Sequence, residues 1–254
     1  MEDLVLGDVM WMYPKIIAHR GGGSLAPENT LAALRCGLSY GFHAVEFDVM
    51  ALENGDCILM HDSECGRTVQ AEGSVTQYSA AQLASMDAGS WFSPAFAGEP
   101  VPDFATAIAF CLQHGIWMNA EIKPAPGKEA ETGRLVAQIC ASLPSGAVLL
   151  SSFSVTALQS ALAVAPHVPR ALLVEKVPPD WREQLQLLEA HALHVNAAHL
   201  TAEQALAIKN VGIGLFCYTV NDPAEAQRLL AMGVDAFCTD RIDIIPADFG
   251  VQSS

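Results

Sequence analysis

Positive charge is scarce in this chain: 13 Lys and Arg stand against 28 Asp and Glu, a net charge of −15 over 254 residues. So acidic a balance excludes non-specific nucleic-acid binding and stable association with anionic membranes as main roles, because both depend on clustered cations. Long apolar runs are absent too, none approaching the roughly 20 residues of a membrane span. The seven cysteines, at 36, 57, 65, 111, 140, 217 and 238, form no C-x-x-C pair, which removes the common zinc and dithiol signatures. Most lie in apolar runs such as AFCLQ and LFCYTV and are expected to be buried free thiols of a reducing compartment. Cys65 sits in polar sequence and reads as a surface thiol without a role. The opening MEDLVLGDVMWMYP has acids where a secretory leader needs basic residues, so the expectation is a soluble, cytoplasmic protein. No linker, repeat or low-complexity segment divides the chain, so residues 1–254 are read as one domain.

What is present is a large apolar fraction, 51%, arranged in a regular alternation. Strand-like runs fall at 16–19, 44–50, 57–60, 117–122, 147–151, 170–174, 193–196, 213–219 and 234–238. Helical patterns fall between them, at about 28–40, 103–114, 128–142, 154–165, 180–191, 201–209 and 222–232. Pro27, Ser154, Thr201 and Asn221-Asp222-Pro223 mark helix starts, and Gly41, Gly115, Gly212 and Gly233 mark ends. Strand–helix repetition implies parallel strands joined by helical crossovers. Nine candidates are one too many for an eightfold barrel, but Asn54-Gly55 is a hairpin signal that folds 57–60 back on the second strand. The expected fold is therefore an α/β, (β/α)8 TIM barrel, with an insertion over about 62–102 on the side where active-site loops grow.

Four of the apolar runs end in polar pairs: IIAHR (16–20), AVEFDVM (44–50), CILMHD (57–62) and WMNAEIK (117–123). Alternate residues of a strand share a face, so Glu46 points with Asp48, and Glu121 with Lys123. Neither face of a barrel strand tolerates adjacent like charges unless they lie at the mouth and bind something positive. Glu46, Asp48 and Glu121 are thus candidate ligands of a divalent metal ion; oxygen donors without a Cys or His pair favour Mg²⁺ or Ca²⁺ over zinc. A plain salt bridge to Lys123 is the alternative account of Glu121. His19 and His61 each end a strand and precede a charged residue, which suits a proton donor and acceptor on opposite sides of a phosphorus atom. One of them could instead ligate the metal. The remaining histidines, 43, 114, 167, 191, 194 and 199, show no companion set. Arg20 and Lys123 suit phosphate oxygens, and Gly21-Gly22-Gly23 permits a tight turn beside them. Glu28 and Asn29 read as the opening of the first helix, with a role in holding Arg20 or a histidine as the alternative.

HRGGGSLAPENTLAA (19–33), EFDVMALENGDCILMHD (46–62), DAGSWFSPAFAGEPVP (87–102), NAEIKP (119–124) and GVDAFCTDRID (233–243) together resemble the glycerophosphodiester phosphodiesterases, most of all their bacterial cytoplasmic branch. The resemblance runs from about residue 14 to 246. It implies the barrel with its small insertion and hydrolysis of deacylated phospholipids, such as glycerophosphocholine or glycerophosphoethanolamine, to sn-glycerol 3-phosphate and an alcohol. It further implies Glu46, Asp48 and Glu121 as metal ligands, His19 and His61 as the acid/base pair, and Arg20, Lys123 and Tyr218 as substrate-binding residues. The nucleophile is then water or the neighbouring glycerol hydroxyl. A barrel acting on intact lipids would call for a basic or apolar rim that this acidic chain lacks. A non-catalytic barrel would have lost a ligand or a histidine, and an aldolase-type site would need a base placed for carbon acid chemistry. No surface stripe marks a homo-oligomer interface, and self-association is left open.

Overall fold

The computed structural model describes residues 11–250. The acidic opening over residues 1–10 and the outer limits of the 1–254 domain lie outside the described residues. Nine strands are formed: β1 (Ile16–Ala18), β2 (Ala44–Ala51), β3 (Cys57–Leu59), β4 (Trp117–Ile122), β5 (Val148–Ser152), β6 (Arg170–Val174), β7 (Ala192–Asn196), β8 (Gly214–Tyr218) and β9 (Ala236–Thr239). All but β3 pair in parallel, and β1 joins both β9 and β2, which closes a (β/α)8 barrel of eight strands. β2 is long enough to serve two neighbours on one edge. Val45 meets Ala18 of β1, while Val49–Ala51 meet the antiparallel β3 beyond the rim.

Helices α1 (Leu31–Ser39), α2 (Ala80–Leu83), α3 (Phe104–Gln113), α4 (Glu129–Cys140), α5 (Val155–Val164), α6 (Trp181–Leu187), α7 (Ala202–Lys209) and α8 (Pro223–Ala231) follow the expected alternation, α2 lying in the insertion. Side-chain caps set most starts: Ser154 accepts from the Ala157 amide, Thr201 forms a capping box with Gln204, and Asp222 accepts from Ala224 and Glu225 ahead of Pro223. Helix α1 departs from expectation. It begins at Leu31, not Glu28, because Thr30 caps it through the Ala33 amide. Glu28 and Asn29 are thereby released from the helix.

One end of the barrel interior is sealed by apolar and aromatic side chains. Ala44, Trp117, Leu149 and Phe216 pack there with Trp11 and Tyr13, and Tyr13 stacks on Trp117 at 4.7 Å. That end holds the starts of β2 and β4, so the polar residues further along these strands face the opposite mouth. Between β3 and α3 the insertion builds a small core of its own, in which Val69, Val75, Leu83 and Val101 pack on Met50, Ile58 and Met60. Glu99 docks it on the barrel by accepting from the Ala32 amide at the start of α1.

Beside the sealed end, Arg170 is only 1% exposed and has no carboxylate partner among the described residues. Its guanidinium instead donates to the carbonyls of Val168 (2.6 Å), Leu188 (3.0 Å), Pro166 (3.2 Å) and Glu189 (3.3 Å), tying the segments that follow α5 and α6 to β6. Buried carbonyls stripped of their donor each carry a desolvation cost. Replacing Arg170 by Met should therefore lower unfolding free energy by about 3 kcal/mol, read by urea denaturation. An unchanged midpoint would show that these carbonyls find other donors.

Candidate active site

Strand register assembles the acids. Asp48 of β2 lies beside Glu121 of β4, and Glu46 lies beside Asn119, so the three carboxylates emerge on one face of two adjacent strands. One oxygen from each of Glu46, Asp48 and Glu121 lies within 4.8 Å of the others, and all three residues are buried. Three like charges this close in a dry site repel strongly. Burial first, and the charge of Asp48 next, push Glu46 and Glu121 well above the usual carboxylate range. Asp48 lies at the centre of the compensation. Burial works against its ionised form, but Arg20, Lys123 and His61 outweigh it and hold its pKa low. Arg20 Nε approaches Asp48 at 3.4 Å, and Lys123 Nζ lies 3.6 Å from Asp48 and 2.8 Å from Glu121. The salt bridge weighed for Glu121 is thus present together with the carboxylate cluster. An oxygen-only donor set short of positive charge suits a hard divalent cation.

Asn29 orients Asp48 from both sides. Its side-chain amide donates to Oδ2 at 2.8 Å, and its carbonyl accepts from the Asp48 backbone at 3.0 Å. It does so from the left-handed region, at φ +58°, which Asn tolerates better than most residues. Arg20 is also left-handed, at φ +50°, and its backbone N–H donates to Glu46 at 3.1 Å. The glycine run makes this turn possible. A Cβ on Gly23 would fall 2.2 Å from the Asp240 carbonyl oxygen, so only glycine lets the β1 loop lie against the end of β9.

Each histidine is held by an aspartate. His19 Nδ1 lies 2.6 Å from Asp240, and His61 Nδ1 lies 2.6 Å from Asp62, leaving both Nε2 atoms for other partners. Burial disfavours the charged form of His19, yet the hydrogen bond to Asp240 and the charge of Glu46 outweigh it and raise its pKa. The histidines line different clefts. One, of about 470 Å³, has His61, Lys123, Ser152 and Phe153 among its walls. The other, of about 510 Å³, has His19, Arg20, Trp91 and Arg241. Lys123 lies over the Phe153 ring at 5.7 Å, and Phe153 meets Tyr218 edge to face at 5.8 Å. Tyr218 spends its hydroxyl on the Val174 carbonyl, so its ring is what it offers to the mouth.

All eight residues singled out from sequence converge here. The strand-end logic gave Asp62 no role of its own and did not reach Arg67, Asp240 and His194. Asp62 and Asp240 act through the histidines, and only the spatial approach of β9 to β1 reveals the second. His194 had no companion in sequence because its neighbours come from other strands. It is fully buried, stacks on Phe216 at 4.3 Å, and neither ring nitrogen has a protein partner among the described residues. With Asn119, Ser151, Glu46 and Glu121 it lines a cavity of about 30 Å³, enough to admit a water molecule.

A closed parallel barrel with acids, imidazoles and cations at the ends of its strands is the architecture of a barrel enzyme. The model of the glycerophosphoryl diester phosphodiesterase family matches residues 19–244. A glycerophosphodiester phosphodiesterase of Caldanaerobacter subterraneus subsp. tengcongensis is 31% identical over 230 residues, spanning 89% of this chain and 93% of its own. The Bacillus subtilis (strain 168) protein YhdW is 32% identical over 242 residues, spanning 92% and 97%. Among solved structures, an Oleispira antarctica phosphodiesterase in complex with the product sn-glycerol-3-phosphate superposes with a TM-score of 0.87 at 34% identity, covering 93% of this chain and 95% of that one. The chain belongs to the glycerophosphoryl diester phosphodiesterase family. It is accordingly an enzyme, a phosphoric diester hydrolase acting on glycerophosphodiesters. No helix of the described residues is long and apolar enough to cross a membrane.

Burial pushes the His194 pKa down to about 3, so its imidazole stays neutral in the fold across ordinary pH. Above the unfolded value near 6.5 this contributes nothing to pH dependence. As pH falls below it, the unfolded chain takes up a proton that the fold refuses, and stability declines until about pH 3. The cavity is shared with His19, Glu46, Glu121, Tyr218 and Cys238, so only a difference between variants isolates this contribution. His194→Phe should remove about 2 kcal/mol of the stability loss between pH 7 and pH 5, measured by urea unfolding in chelator. Parallel pH profiles for the two proteins would refute it.

Proposed function

We propose that this enzyme hydrolyses glycerophosphodiesters such as glycerophosphocholine and glycerophosphoethanolamine to sn-glycerol 3-phosphate and the free alcohol, in a metal-dependent reaction with His19 and His61 as its acid and base. The observation that carries the reading is the convergence of three buried carboxylates within 4.8 Å, flanked by two histidines that are each anchored by an aspartate. Glu46, Asp48 and Glu121 would hold the cation, Mg²⁺ or Ca²⁺. Bound there, it supplies positive charge for the phosphoryl oxygens.

The protein's own groups account for the rest. Arg20 and Lys123 bind the non-bridging phosphate oxygens, Arg20 through its planar fork and Lys123 as a point charge. Because His61 lines one cleft and His19 the other, a diester lying across the carboxylates presents one ester arm to each imidazole. One histidine takes a proton from water as the water oxygen bonds to phosphorus. The other gives a proton to the departing alcohol oxygen as its P–O bond breaks. Asp62 and Asp240 fix both rings with the Nδ1 proton inward, so that Nε2 exchanges protons with the reactants. Tyr218 and Phe153 give the mouth an apolar wall against the carbon skeleton. The net charge of −15 is consistent with a small-molecule substrate, no nucleic-acid partner and no stable membrane association, and with work in the cytoplasm on the products of lipid breakdown. The insertion over 62–102 is read as part of a single 1–254 domain.

Two experiments test this reading. With glycerophosphocholine and phosphorus NMR, EDTA should abolish turnover and Mg²⁺ or Ca²⁺ should restore it. His19→Ala and His61→Ala should each lower kcat by at least roughly a hundredfold while still binding the cation. Wild-type turnover in both variants removes these histidines from the chemistry, and full activity in chelator removes the metal. Separately, Glu46 and Glu121 retain protons near neutral pH while the site carries no cation, since burial and Asp48 disfavour their ionised forms. Cation binding requires the ionised forms, so titration at pH 7 should release protons, and the release should shrink by pH 9. Binding with no proton release at pH 7 would place the cation elsewhere.

A further inference from the structure

Arg67 belongs to the insertion, five residues beyond Asp62, and its side chain is 44% exposed. An exposed arginine on a loop ordinarily has mobile, interchangeable partners. This one makes three directed bonds. Nη1 and Nη2 donate to the two different oxygens of Glu28, each at 2.7 Å, and Nε donates to Asp62. Both acceptors are already engaged with the active site. Glu28 accepts from Arg20 Nη1 at 2.7 Å, and Asp62 accepts from His61 Nδ1 at 2.6 Å. The result is an unbroken series: His61, Asp62, Arg67, Glu28, Arg20.

The two ends of this series start from different parts of the fold. His61 follows β3, on the hairpin outside the barrel, and Arg20 follows β1, inside it. The Arg67 guanidinium bonds both Asp62 and Glu28, and a planar fork with three donors in fixed directions sets the separation of the two carboxylates. Glu28 is free to take part because α1 starts at Leu31 and leaves it outside the helix. The Glu28 side chain is 14% exposed and that of Asp62 is 30%, so the bonds sit at the partly dry edge of the mouth. The bond from Arg67 first, and that from His61 after it, hold the Asp62 carboxyl below the usual carboxylate range against the opposing effect of burial.

We propose that Arg67 is a positioning residue, the clamp through which the insertion fixes His61 and Arg20 relative to each other across the mouth of the barrel. The inference rests on the reading of His61 as acid or base and of Arg20 as a phosphate ligand. The insertion is then a structural requirement of catalysis, since its removal or loosening releases a proton-transfer group and a phosphate-binding group together. Lysine cannot substitute, because a single ammonium cannot reach both oxygens of Glu28 and also Asp62.

The test compares Arg67→Ala and Arg67→Lys with the parent enzyme on glycerophosphocholine. For Arg67→Ala, kcat should fall by roughly ten- to a hundredfold, and affinity for sn-glycerol 3-phosphate should weaken about fivefold or more as Arg20 loses its orientation. Mn²⁺ affinity, measured by calorimetry, should change far less than kcat, because among the described residues Arg67 pairs with Glu28 and Asp62 and with none of the three carboxylates. Millimolar guanidinium or methylguanidinium should restore part of the lost kcat in Arg67→Ala and leave the parent unaffected, a response that a merely destabilised protein does not give. Arg67→Lys should retain the parent Tm and still lose kcat about tenfold. Parent-like kcat and product affinity in Arg67→Ala overturn the proposal. If the alanine variant unfolds, Arg67→Lys decides: parent-like kcat overturns the clamp, and a tenfold loss at unchanged Tm supports it. Impaired His61→Ala and Arg20→Ala beside an unimpaired Arg67→Ala refute this inference alone, whereas unimpaired His61→Ala and Arg20→Ala refute the reading beneath it.

Discussion

Repulsion among three buried carboxylates governs the architecture of the mouth. Glu46, Asp48 and Glu121 stand within 4.8 Å of one another at the end of a sealed apolar barrel, where water screens them little. Two cations of the protein lie against the cluster, Arg20 at Asp48 and Lys123 at both Asp48 and Glu121, which is one positive charge short of three carboxylates. Such a cluster is stable only with protons on some of its members or with a further cation among them. The same imbalance resolves the conflict between an acidic protein and an anionic substrate. The global field repels phosphodiesters, but Arg20 and Lys123, together with the divalent ion proposed for the carboxylates, would reverse the sign locally.

The groups around the cluster have little freedom to rearrange. Asn29 grips Asp48 at both its carboxylate and its backbone, Asp240 and Asp62 hold the two imidazoles, and Tyr218 is pinned through its hydroxyl to Val174. Two of the residues involved, Arg20 and Asn29, adopt left-handed backbone conformations that non-glycine residues enter at a cost. These positions lie in the loop after β1, which is packed so closely on β9 that Gly23 admits no side chain. Conformational strain and close packing thus coincide where the chemistry demands fixed geometry.

Much of this arrangement could be read from residue order, because the governing rule is local. Alternation along a strand puts Glu46 with Asp48 and Glu121 with Lys123, and the Asn54-Gly55 turn disposes of the ninth strand, so barrel and carboxylate set follow from spacing alone. The departures have two causes, one local and one tertiary. Glu28 and Asn29 were legible as helix openers because Pro27 precedes them, but Thr30 wins the capping role and shifts α1 by three residues. Asp240, Arg67 and His194 are defined by approach across the barrel or from the insertion, over separations of 221 residues for the His19–Asp240 pair. No local pattern encodes such contacts.

The chain on its own determined which chemical groups exist and on which strand ends they stand, because side-chain periodicity is a property of the backbone within a single element. Tertiary structure decided which of them meet. Closure of β1 onto β9 delivers Asp240 to His19, and packing of the insertion delivers Arg67 to Glu28 and Asp62. Those distances are fixed by packing between elements far apart in sequence, and only a folded interior, with its shape and excluded water, can specify them.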